Sequence, residues 1–130
     1  MAVEAGPSEV VLAADTVVVI GGEILGKPGD RADAVRMLER LAGREHQVIT
    51  GICLWRGEQR LYDRAVTRVW FKPLTREGIE KYVASGEPMD KAGAYAIQGL
   101  ASKFVEKVDG CYFNVVGLPI ALLYRHLKSL

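Results

Sequence analysis

Val10-Val11-Leu12-Ala13-Ala14-Asp15-Thr16-Val17-Val18-Val19-Ile20 is a nearly continuous β-branched run, and so many valines in succession predict a strand covered on both faces. Asp15 interrupts it. A carboxylate there is costly to bury unless it is paired, bound to a metal or placed at a break in the strand. Isolated acids of this kind tend to mark functional sites. The plainer alternative is an aspartate capping a turn between two shorter strands.

The chain around this run alternates strands and helices. Gly21-Gly22-Glu23 predicts a tight turn and Ile24-Leu25 a short return strand. Lys27 is held between Gly26 and Pro28. It reads either as a solvated loop lysine or as a phosphate contact on a restrained backbone. Asp30 predicts an N-cap, with Asp33 in the first turn, for a helix over 31–42 that Gly43 stops. Gln47 to Trp55 predicts a strand, Arg56 to Gln59 its turn, and Leu61 to Phe71 the antiparallel return. Thr50, Thr67 and Arg68 either line a cleft or form ordinary cross-strand pairs. Thr75 caps a second predicted helix that runs to Ser85. Phe104 to Val108 and Cys111 to Val116 are read as two further short strands, and a closing helix begins at Pro119. The fold class is therefore α/β (α+β), built on a mixed, partly antiparallel twisted sheet flanked by helices. Residues 1–8 are expected to be a disordered lead-in, and residues 9–130 a single domain.

Gly86-Glu87-Pro88-Met89-Asp90-Lys91-Ala92-Gly93-Ala94-Tyr95-Ala96-Ile97-Gln98-Gly99 has neither a helical nor a strand period. Its glycines permit sharp turns or close approach to a ligand, and Glu87, Asp90, Lys91 and Gln98 supply charge and an amide. A connecting surface loop is the competing reading. The residues placed oddly for a core are Asp15, Lys27, Lys91 and Gln98, with Thr16, Glu87 and Asp90 behind them. Carboxylates, lysines and glycine-rich backbone together suit a phosphorylated substrate held with a divalent cation. The spacing is not that of a P-loop, and Gly-x-Gly-x-x-Gly does not occur.

Composition narrows the classes further. At 130 residues, 49% of them hydrophobic, the chain can bury a core without disulfide or metal staples. Lys+Arg 17 against Asp+Glu 16 gives a net charge of +1, so no bulk pull toward nucleic acid or membrane is expected. Arg56, Arg60, Arg64 and Arg68 near Trp55 and Tyr62 are the only hint of a nucleic-acid surface, and a solvated edge strand explains them more simply. Cys53 and Cys111 lie far apart among apolar residues and are expected to be buried free thiols. His46 and His126 are expected at the surface or at strand ends. With no basic segment before an apolar run, a cytoplasmic setting is expected.

Ala14-Asp15-Thr16-Val17-Val18, Gly26-Lys27-Pro28, Val48-Ile49-Thr50-Gly51, Thr67-Arg68-Val69-Trp70-Phe71, the stretch from Gly86 to Tyr95, Ile97-Gln98-Gly99 and Asn114-Val115-Val116-Gly117-Leu118-Pro119 occur in this order. Together they resemble the motif series of the Maf family, nucleoside triphosphate pyrophosphatases named for septum-formation inhibition. The segments from Asp90 to Tyr95 and from Ile97 to Gly99 resemble the branch acting on dTTP and UTP. The resemblance implies a Maf/ITPase-like fold. It also implies hydrolysis of dTTP or UTP, with modified pyrimidine nucleotides as further candidates, to the monophosphate and pyrophosphate, assisted by Mg²⁺ or Mn²⁺. By position, Asp15 would be the general base or metal-linked acid, Thr16 and Gln98 would set base preference, and Lys27 and Lys91 would hold the phosphates.

The chain departs from the family pattern at its start. The family opens with a strand and a loop carrying a serine and paired arginines, and Met1 to Glu9 supply neither. The chain therefore reads as N-terminally truncated, unless another element takes the loop's place. Each lost phosphate contact is expected to impair activity by roughly 10²-fold or more. A non-catalytic nucleotide-binding domain is the alternative. A strand lost from a sheet leaves an edge that invites self-association, of which a homodimer is the simplest form.

Overall fold

The computed structural model describes residues 9–129, so the expected lead-in at 1–8 lies outside the described residues. A five-stranded sheet has the order β2-β1-β3-β4-β5, from β1 (Val11–Ile20), β2 (Glu23–Leu25), β3 (Glu45–Arg56), β4 (Gln59–Phe71) and β5 (Val105–Asp109). Every pairing among the described residues is antiparallel. The α/β class holds, with this sheet carrying four helices, α1 (Arg31–Leu41), α2 (Arg76–Ala84), α3 (Tyr112–Val116) and α4 (Ile120–Leu127).

The β3 strand explains which face is covered. His46, Val48, Thr50, Ile52 and Leu54 are buried in strict alternation with exposed or half-buried neighbours, the period of a strand with one face on the core. The expectation for the valine-rich run needs correction here. Only Val11, Val18 and Ile20 of β1 are buried, and Asp15 is exposed. Val18 and Ile20 share one face, Val11 stands on the other with Asp15, and that second face is left open at the aspartate, which is exposed rather than interior.

Helices α1 and α2 cover that face. Asp30 Oδ1 accepts the Asp33 N–H at 2.7 Å and starts α1, which buries Ala34, Met37, Leu38 and Leu41. Thr75 Oγ1 accepts the Gly78 N–H at 3.0 Å and starts α2, which buries Ile79, Tyr82 and Val83. Both caps stand at the residues the sequence indicates. These side chains meet Val18, Ile20, Val48, Val69 and Phe71 in one core cluster. Each fully buried aliphatic side chain contributes about 1.5–3 kcal/mol by leaving water.

Other expectations also change. Cys111 to Val116, read as a strand, is instead the short helix α3, closed by Gly117 at φ 130°. The tyrosine, phenylalanine and two valines there favour a strand locally, but the buried Asn114 side chain anchors the segment to the sheet, and tertiary contact overrides propensity. Cys53 and Cys111 are free but half-buried rather than buried. His126 of α4 is half-buried and meets β4, its Nε2 2.7 Å from Asp63 Oδ2.

His46 stands second in β3, at the strand end that was one of its two expected places, but not at the surface. It is 1% exposed, edge-on to Phe71 and Tyr95, with Nε2 2.7 Å from the Tyr95 hydroxyl. Among the described residues Nδ1 has no hydrogen-bond partner. Burial lowers the imidazole pKa from 6.5 to about 4. The unfolded chain therefore binds a proton more readily than the folded one, and stability falls as pH drops through the window between those values. The expected loss is about 3 kcal/mol once both forms are protonated. Chemical denaturation at pH 7 and pH 5 checks this. The fall should shrink in His46→Gln, and an unchanged fall would assign the acid sensitivity to other groups.

Candidate active site

A cleft of about 320 Å³ opens between β1, the loop after β2, the segment from Asp90 to Gln98, and the end of α3. Asp15, Thr16, Lys27, Lys91 and Gln98 all line it, with Asp90 and Tyr95. Residues spread over more than half of the sequence are thereby brought to one place.

Each is positioned by a local device. Asp15 pairs with Gly51 across β1 and β3 and Thr16 with Thr50. Residues next to each other on a strand point to opposite faces, so Asp15 stands at the rim of the cleft. It also borders a shallower hollow with Ala13, Cys53, Tyr62 and Asp63. Thr16 Oγ1 lies 2.8 Å from Thr50 Oγ1, and the buried Thr50 hydroxyl reaches the Asn114 carbonyl at 3.4 Å. The floor of the cleft is thus joined to α3.

Lys27 is exposed, and its loop is fixed where the Gly93 N–H donates to the Gly26 carbonyl at 3.0 Å. Gly93 has φ 70°, and a Cβ there would lie 2.7 Å from Val18 Cγ2. Only glycine satisfies both the left-handed backbone and that approach. Ala94 follows at φ 65° and is fully buried, a conformation that costs a non-glycine residue roughly 1–2 kcal/mol. This kinked pair turns the chain so that Lys91 and Tyr95 both reach the cleft. Lys91 Nζ lies 3.5 Å from Asp90 Oδ1, an exposed pair that restrains the lysine only weakly.

Tyr95 was not singled out by sequence. Its ring is buried, its hydroxyl meets His46, and burial pushes the phenol pKa up. The α3 wall of Val115, Val116 and Gly117 was also missed as a structural element. Asn114 holds that wall. Its Nδ2 donates toward the Val48 carbonyl at 3.0 Å, the Ala65 carbonyl at 3.1 Å and Thr67 Oγ1 at 2.9 Å. An asparagine inside an otherwise apolar run, followed by a glycine, was the available signal. Gln98 is exposed on a turn closed by the Gly99 N–H to the Ala96 carbonyl at 3.0 Å.

Among the described residues no group of three His, Cys, Asp or Glu side chains is placed to hold a metal ion. The carboxylates lining the cleft are Asp15 and Asp90. Such a donor set suits a hard cation that shares one or two carboxylates with substrate phosphates and water, not an all-protein cage. Among the described residues no helix is long and apolar enough to cross a membrane.

Comparison with known proteins gives the family of the chain. A dTTP/UTP pyrophosphatase of Carboxydothermus hydrogenoformans is 55% identical over 92% of this chain and 66% of its own length. One of Symbiobacterium thermophilum is 57% identical over 88% of this chain and 59% of its own. A third, of Geobacter sulfurreducens, is 54% identical over 92% of this chain and 63% of its own. The chain thus spans under two thirds of the length of these relatives. The profile described as Maf-like protein matches residues 1–130, and the chain belongs to the Maf family.

Proposed function

We propose that residues 9–130 act as a nucleotide-hydrolysing domain that cleaves dTTP and UTP to the monophosphate and pyrophosphate. The observation that carries this reading is the convergence of Asp15, Thr16, Lys27, Lys91 and Gln98 on one cleft.

Lys27 and Lys91 hold the triphosphate by charge, as compact ammonium groups do. Water adds across the α–β phosphoanhydride, the bond between phosphorus and the bridging oxygen breaks, and Asp15 accepts the proton of the attacking water. Gln98 presents an amide that both donates and accepts, the pattern that a pyrimidine edge requires. The Thr16 hydroxyl contributes to the same preference from the cleft floor. Asp15 is the residue that would hold a divalent cation, Mg²⁺ or Mn²⁺, with Asp90 nearby on the lining. Such an ion, when bound, neutralises phosphate oxygens. The substrate is a free nucleotide rather than a nucleic acid, in keeping with a net charge of +1, and the cytoplasm is the compartment that supplies it.

Pyrophosphate release across the common nucleoside triphosphates, with Mg²⁺ or Mn²⁺ and with chelator, tests the proposal. Cation-dependent release favouring dTTP and UTP is expected. A folded sample that releases none, or that favours purine nucleotides, overturns it.

A further inference from the structure

Glu87 does not line the cleft, yet both of its carboxylate oxygens are engaged. Oε2 accepts the Tyr82 hydroxyl at 2.5 Å and Oε1 accepts the Leu100 N–H at 3.1 Å. The Tyr82 oxygen in turn accepts the Ala96 N–H at 3.1 Å. Carboxylate and phenol together therefore grip the two N–H groups that bracket Ile97-Gln98-Gly99.

Two further observations point the same way. A Cβ at Gly99 would lie 2.0 Å from Glu87 Oε1 and 2.5 Å from its Cδ, so the carboxylate is seated directly against the Gly99 backbone and a larger residue there would push it out of this position. Tyr82 is itself fixed, 4% exposed and edge-on to Phe104 at 5.2 Å between ring centres. Burial and the neighbouring carboxylate push its phenol pKa up, so it remains the proton donor that Glu87 needs. Gln98, on the bracketed turn, borders both the cleft and an adjoining groove lined by Gly86, Glu87 and Met89. A small rotation of the turn would carry its amide from one to the other.

We infer that Glu87 is a positioning residue for base discrimination: with Tyr82 and Gly99 it latches the Ala96–Leu100 turn and so fixes where Gln98 presents its amide. This rests on the role of Gln98 proposed above. With its oxygens so used, Glu87 is neither a metal ligand nor a base in this arrangement.

The test compares affinities of non-hydrolysable UTP and ATP analogues by calorimetry for the wild type, Tyr82→Phe, Glu87→Ala and Glu87→Gln, alongside hydrogen exchange of the 96–100 amides. Tyr82→Phe keeps the ring packing but removes the hydroxyl bridge. Glu87→Gln keeps an acceptor for Leu100 and gains an N–H that can meet the Tyr82 oxygen. The preference for UTP should fall by about 10-fold in Tyr82→Phe and Glu87→Ala, with faster exchange at 96–100, and should largely return in Glu87→Gln. Folded variants with wild-type preference and exchange overturn the inference. A wild type without preference overturns the role of Gln98 and the discrimination role of Glu87 with it, and the exchange data then report whether the latch itself forms.

Discussion

Asp15→Asn is expected to lower pyrophosphate release from dTTP and UTP by roughly 10²–10⁴-fold, the usual range for loss of a positioned general base. Asparagine keeps the shape of the side chain but accepts no proton at its amide nitrogen and carries no charge. Because Asp15 is exposed in the middle of β1, the substitution should leave stability within about 0.5 kcal/mol of the wild type. Rate and thermal midpoint therefore separate. A rate within a few-fold of the wild type, with the fold intact, removes Asp15 from the role of base. A rate loss accompanied by unfolding would instead make it structural.

The largest effect on stability is expected at Asn114. Its side chain is fully buried and donates toward two backbone carbonyls, on β3 and β4, and the Thr67 hydroxyl. Thr67 also exchanges hydrogen bonds with the backbone of Cys111, at 3.1 and 3.2 Å. Asn114→Ala removes all three of those hydrogen bonds from a buried site and should cost roughly 2–4 kcal/mol. Asn114→Asp should be worse. It replaces a donor by a carboxylate facing two carbonyl oxygens in a fully buried site, where a charge is costly without a partner. Urea denaturation of both variants checks the order. An aspartate variant as stable as the alanine one would mean that the amide acts mainly as filler, not as a donor. Either variant should also weaken nucleotide binding, since Val115 and Val116 beyond it wall the cleft.

What could be read from the chain depended on how far the relevant partner lies along it. Asp30 and Thr75 bond to N–H groups three residues on, so both helix starts were evident in the order of residues. Asp15, Lys27, Lys91 and Gln98 stood out because charges and an amide sat where no apolar period explained them. The burial of His46 at its strand end was hidden because Glu45 and Gln47 beside it are polar, while its partner Tyr95 lies far along the chain. Its parity with Val48, Ile52 and Leu54 carried the missing information. Asn114 and Glu87 were harder to read for a related reason. The groups each one bonds lie on other elements, so the local sequence marked Asn114 as unusual without saying what it holds.

The β3–β4 pairing also bears on the order in which the molecule assembles. It runs without interruption from Arg56↔Gln59 at the Gly57-Glu58 turn to Glu45↔Trp70, so it can close like a zip from contacts between near neighbours in sequence. Such hairpins form within microseconds, whereas pairings across longer separations wait on loop closure. β1 must cross α1 to reach β3, and the 90–98 segment and α3 arrive from the far side of β4. The hairpin is then the template, and the cleft is complete only when the last of these elements has docked. On refolding, the capacity to hold a nucleotide should return after the sheet does.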